Sequence, residues 1–244
     1  CIPSKSLLDS SYKYHQIAES FDEHGIKVSK PNYDLKKMME RKNDIVKKLT
    51  GGVSHLFSHN KVEAIHGKGK LLNQNEVEVT DLKGKKKKYK AKNIILATGS
   101  RPINIPSVPW NGTTVVGSSG ALEFTETPKK LGIIGAGVIG LELGQVYNRL
   151  GSEVNVIEYS EKITPFMDND VSKELLKIFK KEKINFYLSS KVFDVKSNKS
   201  NVIVKAENKS GEILEFVSDY CLVSVGRKPY TDNLGLDSVG VDTD

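Results

Sequence analysis

LGIIGAGVIGLELGQVYNRLGSEVNVIEY, running from Leu131 to Tyr159, is the stretch on which the fold turns. A short apolar run, Leu131–Ile134, stops at Gly135, Gly137 and Gly140, which fall in G-x-G-x-x-G spacing. A helical pattern follows, and a second apolar run ends at Glu158, 18 residues after Gly140. Strand, glycine turn, helix and strand make a βαβ unit, and an acid about 20 residues on completes the dinucleotide-binding pattern. Gly135 allows the tight turn, Gly137 lets the backbone approach a pyrophosphate, and Gly140 lets the helix pack on the strand. The helix N-terminus then offers free N–H groups and a positive dipole end to phosphates. Glu158 can accept hydrogen bonds from ribose hydroxyls. It would repel a 2′-phosphate, and only Lys162 stands close by, so the pattern favours NAD over NADP. Glu142, in the first turns of the same helix, is an acid that the helix dipole favours.

Composition sets the frame. The chain has 244 residues, 38% hydrophobic and 27% charged, which suits one or two globular domains. No apolar run reaches the ~20 residues needed to cross a bilayer. Two cysteines, Cys1 and Cys221, do not make a disulfide framework. No metal-binding cluster is expected. The net charge is +7, and much of the excess sits in KGKKKKYKAK, Lys83 to Lys92. That run reads as one strand of a hairpin turning at Asp81–Gly84, a lysine-coated, solvated edge that discourages edge pairing. Without interleaved aromatics or a recognition motif, neither a nucleic-acid nor a membrane partner is expected.

Around the glycine motif, PSKSLLDSSYKYHQIAES has helical spacing, with Pro3 suited to the first turn. Tyr33 to Asn60 predicts a second, long helix that Gly51 and Gly52 are placed to kink. KVEAIHGKGKLL predicts a strand before the lysine hairpin. AKNIILATGSRP predicts a short buried strand running into a glycine turn. DNDVSKELLKIFKKEKINFYL predicts a helix and a strand. Lys191 to Pro229 predicts a β-meander with turns at Ser197–Ser200 and Lys209–Gly211, closing in a second glycine turn at Gly226. IILATGSRP and CLVSVGRKP run parallel in pattern, each an apolar stretch ending in glycine and proline. Cys1 sits just before a helix start, where the dipole and Lys5 would favour a thiolate; a free cysteine at a chain end is the plainer alternative.

CIPSKSLL resembles the segment that holds the second redox-active cysteine of a C-x-x-x-x-C pair in the dihydrolipoyl dehydrogenases, within the pyridine nucleotide–disulfide oxidoreductase family. The likeness continues, in order, through RKNDIVKKLTGGVSHLF, HGKGKLL, IILATGSRP, the glycine-loop segment, MDNDVSKELLKIFKK and VSVGRKPYTDNLGL. CIPSK is less similar to the glutathione reductase segment; mercuric reductase is the nearer rival. The resemblance implies an α/β fold of two Rossmann-like nucleotide-binding domains, one for FAD and one for NAD. It implies a partial FAD domain over residues 1–117, an NAD domain over 118–226 and a return segment over 227–244. The flavin's own glycine loop and the first redox cysteine would precede Cys1. A dimerisation domain with a His–Glu pair would follow, and none of His15, His24, His55, His59 and His66 falls in such a motif, so no catalytic base is assigned.

Residue by residue, the resemblance makes Cys1 the redox cysteine nearer the flavin. Lys5 would lie by the flavin and pair with Glu142. Gly69, Thr98, Gly99 and Ser100 would contact FAD. Gly135, Ala136, Gly137, Val138, Ile139, Gly140, Leu141, Glu142 and Glu158 would contact NAD, with Val138 screening the flavin. Val192 and Gly226 would line the adenine and nicotinamide ends. Cys221 reads as a buried small hydrophobe. The implied activity is oxidation of dihydrolipoyl groups on the acyltransferase subunit of a 2-oxo acid dehydrogenase complex, by a homodimer with NAD as acceptor; the alternatives are another flavin disulfide reductase of the mercuric reductase kind, or an NAD-binding fragment without catalytic activity. The expected location is the bacterial cytoplasm, with the mitochondrial matrix as the alternative.

Overall fold

The structure is a computed structural model and describes residues 1–243. In chain order the helices are α1 (Ile2–Glu19), α2 (Leu35–His59), α3 (Ser118–Ala121), α4 (Val138–Arg149) and α5 (Asn169–Lys181). The strands are β1 (Lys68–Asn73), β2 (Glu76–Thr80), β3 (Lys86–Lys90), β4 (Ser100–Pro102), β5 (Val115–Val116), β6 (Lys130–Ile134) and β7 (Glu153–Ile157). They continue with β8 (Asn185–Tyr187), β9 (Lys191–Ser197), β10 (Val202–Glu207), β11 (Ile213–Ser218), β12 (Tyr220–Val223) and β13 (Arg227–Pro229). The chain is mixed α/β and divides into two compact units, residues 1–49 with 102–226 and residues 50–101 with 227–244. α1 packs on α4, which brings the N-terminal segment into the first unit.

The first unit is built in layers on a five-stranded parallel sheet of order β5-β12-β6-β7-β8. A parallel sheet is covered on both faces, so its strands are apolar on both. Leu131 and Ile133 of β6, Val154 and Val156 of β7, and Leu222 of β12 enter a core with Leu141, Tyr147 and Phe179 of the helices. The alternate residues Ile134, Ile157, Cys221 and Val223 enter a second core with Val195, Val202, Val204 and Phe216 of the antiparallel sheet β11-β10-β9. β12 therefore leaves the expected meander: it crosses into the middle of the parallel sheet, since its CLV run has two faces to bury where a meander strand has one. Cys221 is fully buried there, and burial pushes its thiol up to about 12.

α1 reaches α4 through a third core of Leu7, Val146 and Leu150, with Tyr33, Leu35 and Met38 packed against it. Around that core Tyr33 donates its hydroxyl to the Leu150 carbonyl at 2.8 Å, and Arg41 links Asp9 at 2.8 Å to Ser6 and Ser10. Lys42 is buried, and its ammonium donates to the Leu122 carbonyl and to Glu123, both at 2.6 Å.

The second unit holds the antiparallel sheet β1-β2-β3, with the lysine hairpin turning at Asp81–Gly84 as the sequence reading expects. It also holds the pairing of β4 with β13, so the two segments alike in pattern end beside each other. α2 runs from Leu35 to His59 through Gly51 and Gly52 as one helix, and neither glycine adopts a positive φ. Two expectations are corrected. The strand expected over KVEAIHGKGKLL starts only at Lys68. Asn93–Ala97 forms no strand, and Ile95 and Leu96 are exposed, since none of the described strands pairs with them.

Lys42 yields a test of the helix packing. Lys42→Ala leaves the Leu122 carbonyl without its donor and removes a buried stem, at an expected cost of about 2–4 kcal/mol. Lys42→Met keeps the stem and should cost about half as much. Urea unfolding midpoints measure both, and equal losses would place the effect in the lost ammonium hydrogen bonds alone, with nothing from packing of the stem.

Candidate functional site

The glycine loop joins β6 to α4 and is held from three sides. The Gly135 N–H continues the β6–β7 register to the Ile157 carbonyl at 2.8 Å, with φ at +103°. Ser224, just past β12, donates its hydroxyl to the Gly135 carbonyl at 3.0 Å. The Thr164 N–H donates to the Ala136 carbonyl at 2.9 Å. A Cβ on Gly135 would lie 2.6 Å from the Ser224 carbonyl, and one on Gly140 would lie 2.5 Å from the Ser224 hydroxyl. Both positions exclude a side chain because the protein itself fills the space. Gly137 differs: a Cβ there would meet only the Ser224 carbonyl, at 3.9 Å. The open side of Gly137 is where a ligand's phosphates can approach the backbone.

Gly137 is also the N-cap of α4, with extended backbone and no side-chain cap. The first-turn amides of Val138, Ile139 and Gly140 therefore have no side-chain acceptor and suit an anion. Val138 is exposed, Ile139 half-buried and Leu141 buried. Glu158 lies across the loop, 8% exposed. One carboxylate oxygen accepts from the Ala136 N–H at 2.6 Å, and the other accepts from the Ser160 N–H at 2.7 Å. Each oxygen retains a free lone pair, so the carboxylate is held rigid yet can still accept from a diol. Lys162, the one base near Glu158 in sequence, is turned to α5: its ammonium bonds Asn169 at 2.6 Å and the Met167 carbonyl at 3.2 Å. These residues fit a dinucleotide with an unmodified ribose.

Val192 and Gly226 each stand two residues past a serine that bonds the loop or its acid, Ser190 and Ser224. The Ser190 N–H bonds the Glu158 carbonyl at 2.9 Å, two residues before Val192, which is half-buried in the second core. Gly226, with φ at +120°, lies two residues past Ser224. Ser224 and Thr164 carry no motif that marks them in sequence. Their roles come from the strand order and from a positive φ of 44° at Thr164, neither of which has a local signature.

Cys1 is exposed, unpaired and at the N-cap of α1. Its carbonyl accepts from the Lys5 N–H at 3.1 Å, so the two residues are one helical turn apart. The Lys5 ammonium meets the Glu142 carboxylate at 2.5 Å, tying the cysteine-bearing helix to the helix that leaves the glycine loop. The second unit carries the other expected site residues. Gly69 stands in the β1–β2 ladder opposite Val79. Thr98 donates to the Tyr230 carbonyl at 2.7 Å, Gly99 has φ at +73°, and the Ser100 hydroxyl accepts from Arg227 at 2.8 Å. That turn is thus stapled to the return segment.

The chain is 45% identical to "Dihydrolipoyl dehydrogenase 1, mitochondrial" of Arabidopsis thaliana, over all of this chain and 48% of that protein. It is 45% identical to "Leghemoglobin reductase" of Vigna unguiculata, over 47% of that protein, and 41% identical to "Dihydrolipoyl dehydrogenase, mitochondrial" of Sus scrofa, over 49%. The chain spans about half the length of the curated relatives it matches. Among solved structures, LpdA from Mycobacterium tuberculosis superposes with a TM-score of 0.88 at 22% identity, over 99% of this chain and 52% of that one. The HOCl-induced flavoprotein disulfide reductase RclA from Escherichia coli does so with a TM-score of 0.81 at 23% identity, over 100% and 50%. Both share the fold. The family described as "Pyridine nucleotide-disulphide oxidoreductase" matches residues 1–244, and with it come FAD and a nicotinamide dinucleotide as cofactors: the chain belongs to that family of oxidoreductases.

Proposed function

We propose that the protein oxidises dihydrolipoyl groups carried on an acyltransferase subunit of a 2-oxo acid dehydrogenase complex, with NAD as acceptor. The observation that carries this reading is the Lys5–Glu142 ion pair. It fixes a helix that begins at a free cysteine onto the helix that begins at a nucleotide loop. Identity of 40–45% to proteins named as dihydrolipoyl dehydrogenases supports the substrate class. Relatives named as mitochondrial favour the matrix over the bacterial cytoplasm. A homodimer is part of the same proposal.

In this reading Cys1 is one sulfur of a redox disulfide, its partner lying outside the 244 residues. A thiolate of the substrate attacks that disulfide, and exchange leaves the substrate as a cyclic disulfide and the enzyme as a dithiol. Two electrons and two protons leave the substrate. The positive end of α1 and the Lys5 ammonium favour negative charge at the sulfur's end of the helix. When bound, FAD and NAD supply the hydride chemistry that removes the electron pair. The α4 amides hold the NAD pyrophosphate, and Glu158 accepts from the adenosine ribose.

The loop separates structural from binding glycines. Gly137→Ala should leave the melting temperature unchanged and weaken NADH binding at least tenfold, measured by fluorescence titration. Gly135→Ala forces a side chain into positive φ against the Ser224 carbonyl, and should destabilise by about 2–4 kcal/mol. A similar loss of binding with a similar loss of stability in both would refute the division.

The activity is tested on the purified, flavin-loaded protein by anaerobic absorbance titration. Dihydrolipoamide should raise a long-wavelength thiolate–flavin band that NAD then discharges. Cys1→Ser should abolish the band with flavin retained. A flavin that dihydrolipoamide cannot reduce, but that another disulfide or a metal ion can reoxidise, would move the protein to a different branch of the family.

A further inference from the structure

The β1-β2-β3 sheet carries a charge pattern that the nucleotide site does not use. In register, Glu76 faces Lys90, Glu78 faces Lys88 and Thr80 faces Lys86, while Lys68 and Lys70 of β1 face Thr80 and Glu78. Side chains alternate across a strand, so these five lysines share one sheet face with two glutamates. Lys86 pairs with Glu78 at 2.9 Å, and Lys88 approaches Glu76 at 3.9 Å. The Glu78 carboxyl is held below the usual carboxylate range, first by the hydrogen bond from Lys86 and then by the charges of Lys86, Lys88 and Lys70. Lys83, Lys85, Lys90 and Lys92 are exposed and form no ion pair among the described residues.

The hairpin tip adds an independent observation. The Asp81 carboxylate accepts from the N–H groups of Lys83 and Lys85, both at 2.8 Å, and Gly84 takes φ at +82°. Those two residues define the turn, and position 82 is free of any such demand. Polar residues are usual in such turns. Here it is Leu82, 93% exposed, with Lys83 and Lys85 beside it. A lone exposed leucine is ordinary. A leucine at the apex of a lysine-coated hairpin has the make-up of a membrane-interface contact: the apolar tip enters the headgroup boundary while long-stemmed ammonium groups stay at the phosphates. Edge protection accounts for lysines but not for an apolar apex. A single-strand nucleic-acid surface would present stacking aromatics, and the one aromatic on this sheet, Tyr89, is half-buried with Lys87 4.8 Å above its ring.

We propose that the β2–β3 hairpin docks peripherally on an anionic lipid bilayer, Leu82 entering the interface and the surrounding lysines binding headgroup phosphates. No described helix is long and apolar enough to cross a membrane, so the contact is a surface one. The test sediments the flavin-loaded protein with phosphatidylcholine vesicles, with and without phosphatidylglycerol. The protein should pellet only with phosphatidylglycerol and be released by salt. Reversing Lys83, Lys85 and Lys90 to Glu should lower partitioning by about a hundredfold. Leu82→Trp should show a blue-shifted emission on the anionic vesicles, and Leu82→Ser should bind several-fold more weakly. All variants should keep wild-type dithiol oxidation, since none of the substituted residues is among the expected cofactor or redox residues. No pelleting with anionic vesicles, undiminished pelleting of the triple variant, or an unshifted Leu82→Trp emission would each overturn the proposal. Displacement from vesicles by polyglutamate together with unaltered Leu82→Ser binding would assign the surface to an acidic protein partner instead.

Discussion

Everything in the first unit depends on how closely α4 approaches the ends of β6 and β12. That approach is possible only because Gly135 and Gly140 leave no Cβ between the helix and Ser224. Gly144 extends the same seam, since a Cβ there would lie 2.8 Å from Ile133 of β6. With the helix seated this low, its first amides converge on the open side of Gly137, and Glu158 reaches the Ala136 N–H. The binding loop is therefore a consequence of helix–sheet packing.

The position of α4 also decides what can pack behind it. Val146 and Leu150 present an apolar patch on which Leu7 of α1 closes. The polar groups around this contact are satisfied by specific partners: Tyr33 by the Leu150 carbonyl, Lys42 by the Leu122 carbonyl, Arg41 by Asp9 and two serines. Fully satisfied polar contacts fix one register between helices where apolar contact alone would tolerate several. The Lys5–Glu142 pair lies at the same junction. Its side chains are 57% and 26% exposed, so its contribution to stability is small and its worth is positional.

Much of this was legible in the sequence, because the signals were local. The glycine spacing, the acid after β7, the proline in the first turn of α1 and the Asp–Gly turn of the lysine hairpin each state a backbone requirement within a few residues. What was not legible depended on partners far along the chain. The apolar run at Asn93–Ala97 looks like a strand, but a strand exists only where another pairs with it. The apolar positions of α2 continue through Leu49, Val53, Leu56 and Phe57, which are exposed: periodicity defines a face without naming what covers it. β12 looked like the next strand of a meander, yet the crossover into the parallel sheet carries Ser224 to the glycine loop. Nothing around Lys42 in the sequence marks it for burial, because its carbonyl acceptor comes from 80 residues downstream.

The same chain handles charge in three ways, and the differences follow from the donors and acceptors nearby. Glu158 is buried, but two backbone N–H groups face it, so it stays in place as a carboxylate with lone pairs left for a ligand. Lys42 is buried against a carbonyl and one carboxylate that is itself 65% exposed, so its head is satisfied from inside while the counter-charge keeps its water. The hairpin lysines have too few acids within reach and no apolar cover. Their repulsion is tolerated because each ammonium sits on a long solvated stem, where water and salt screen it. Only the first of these three shows in a motif. The others emerge once the topology fixes which backbone groups and side chains face each charge.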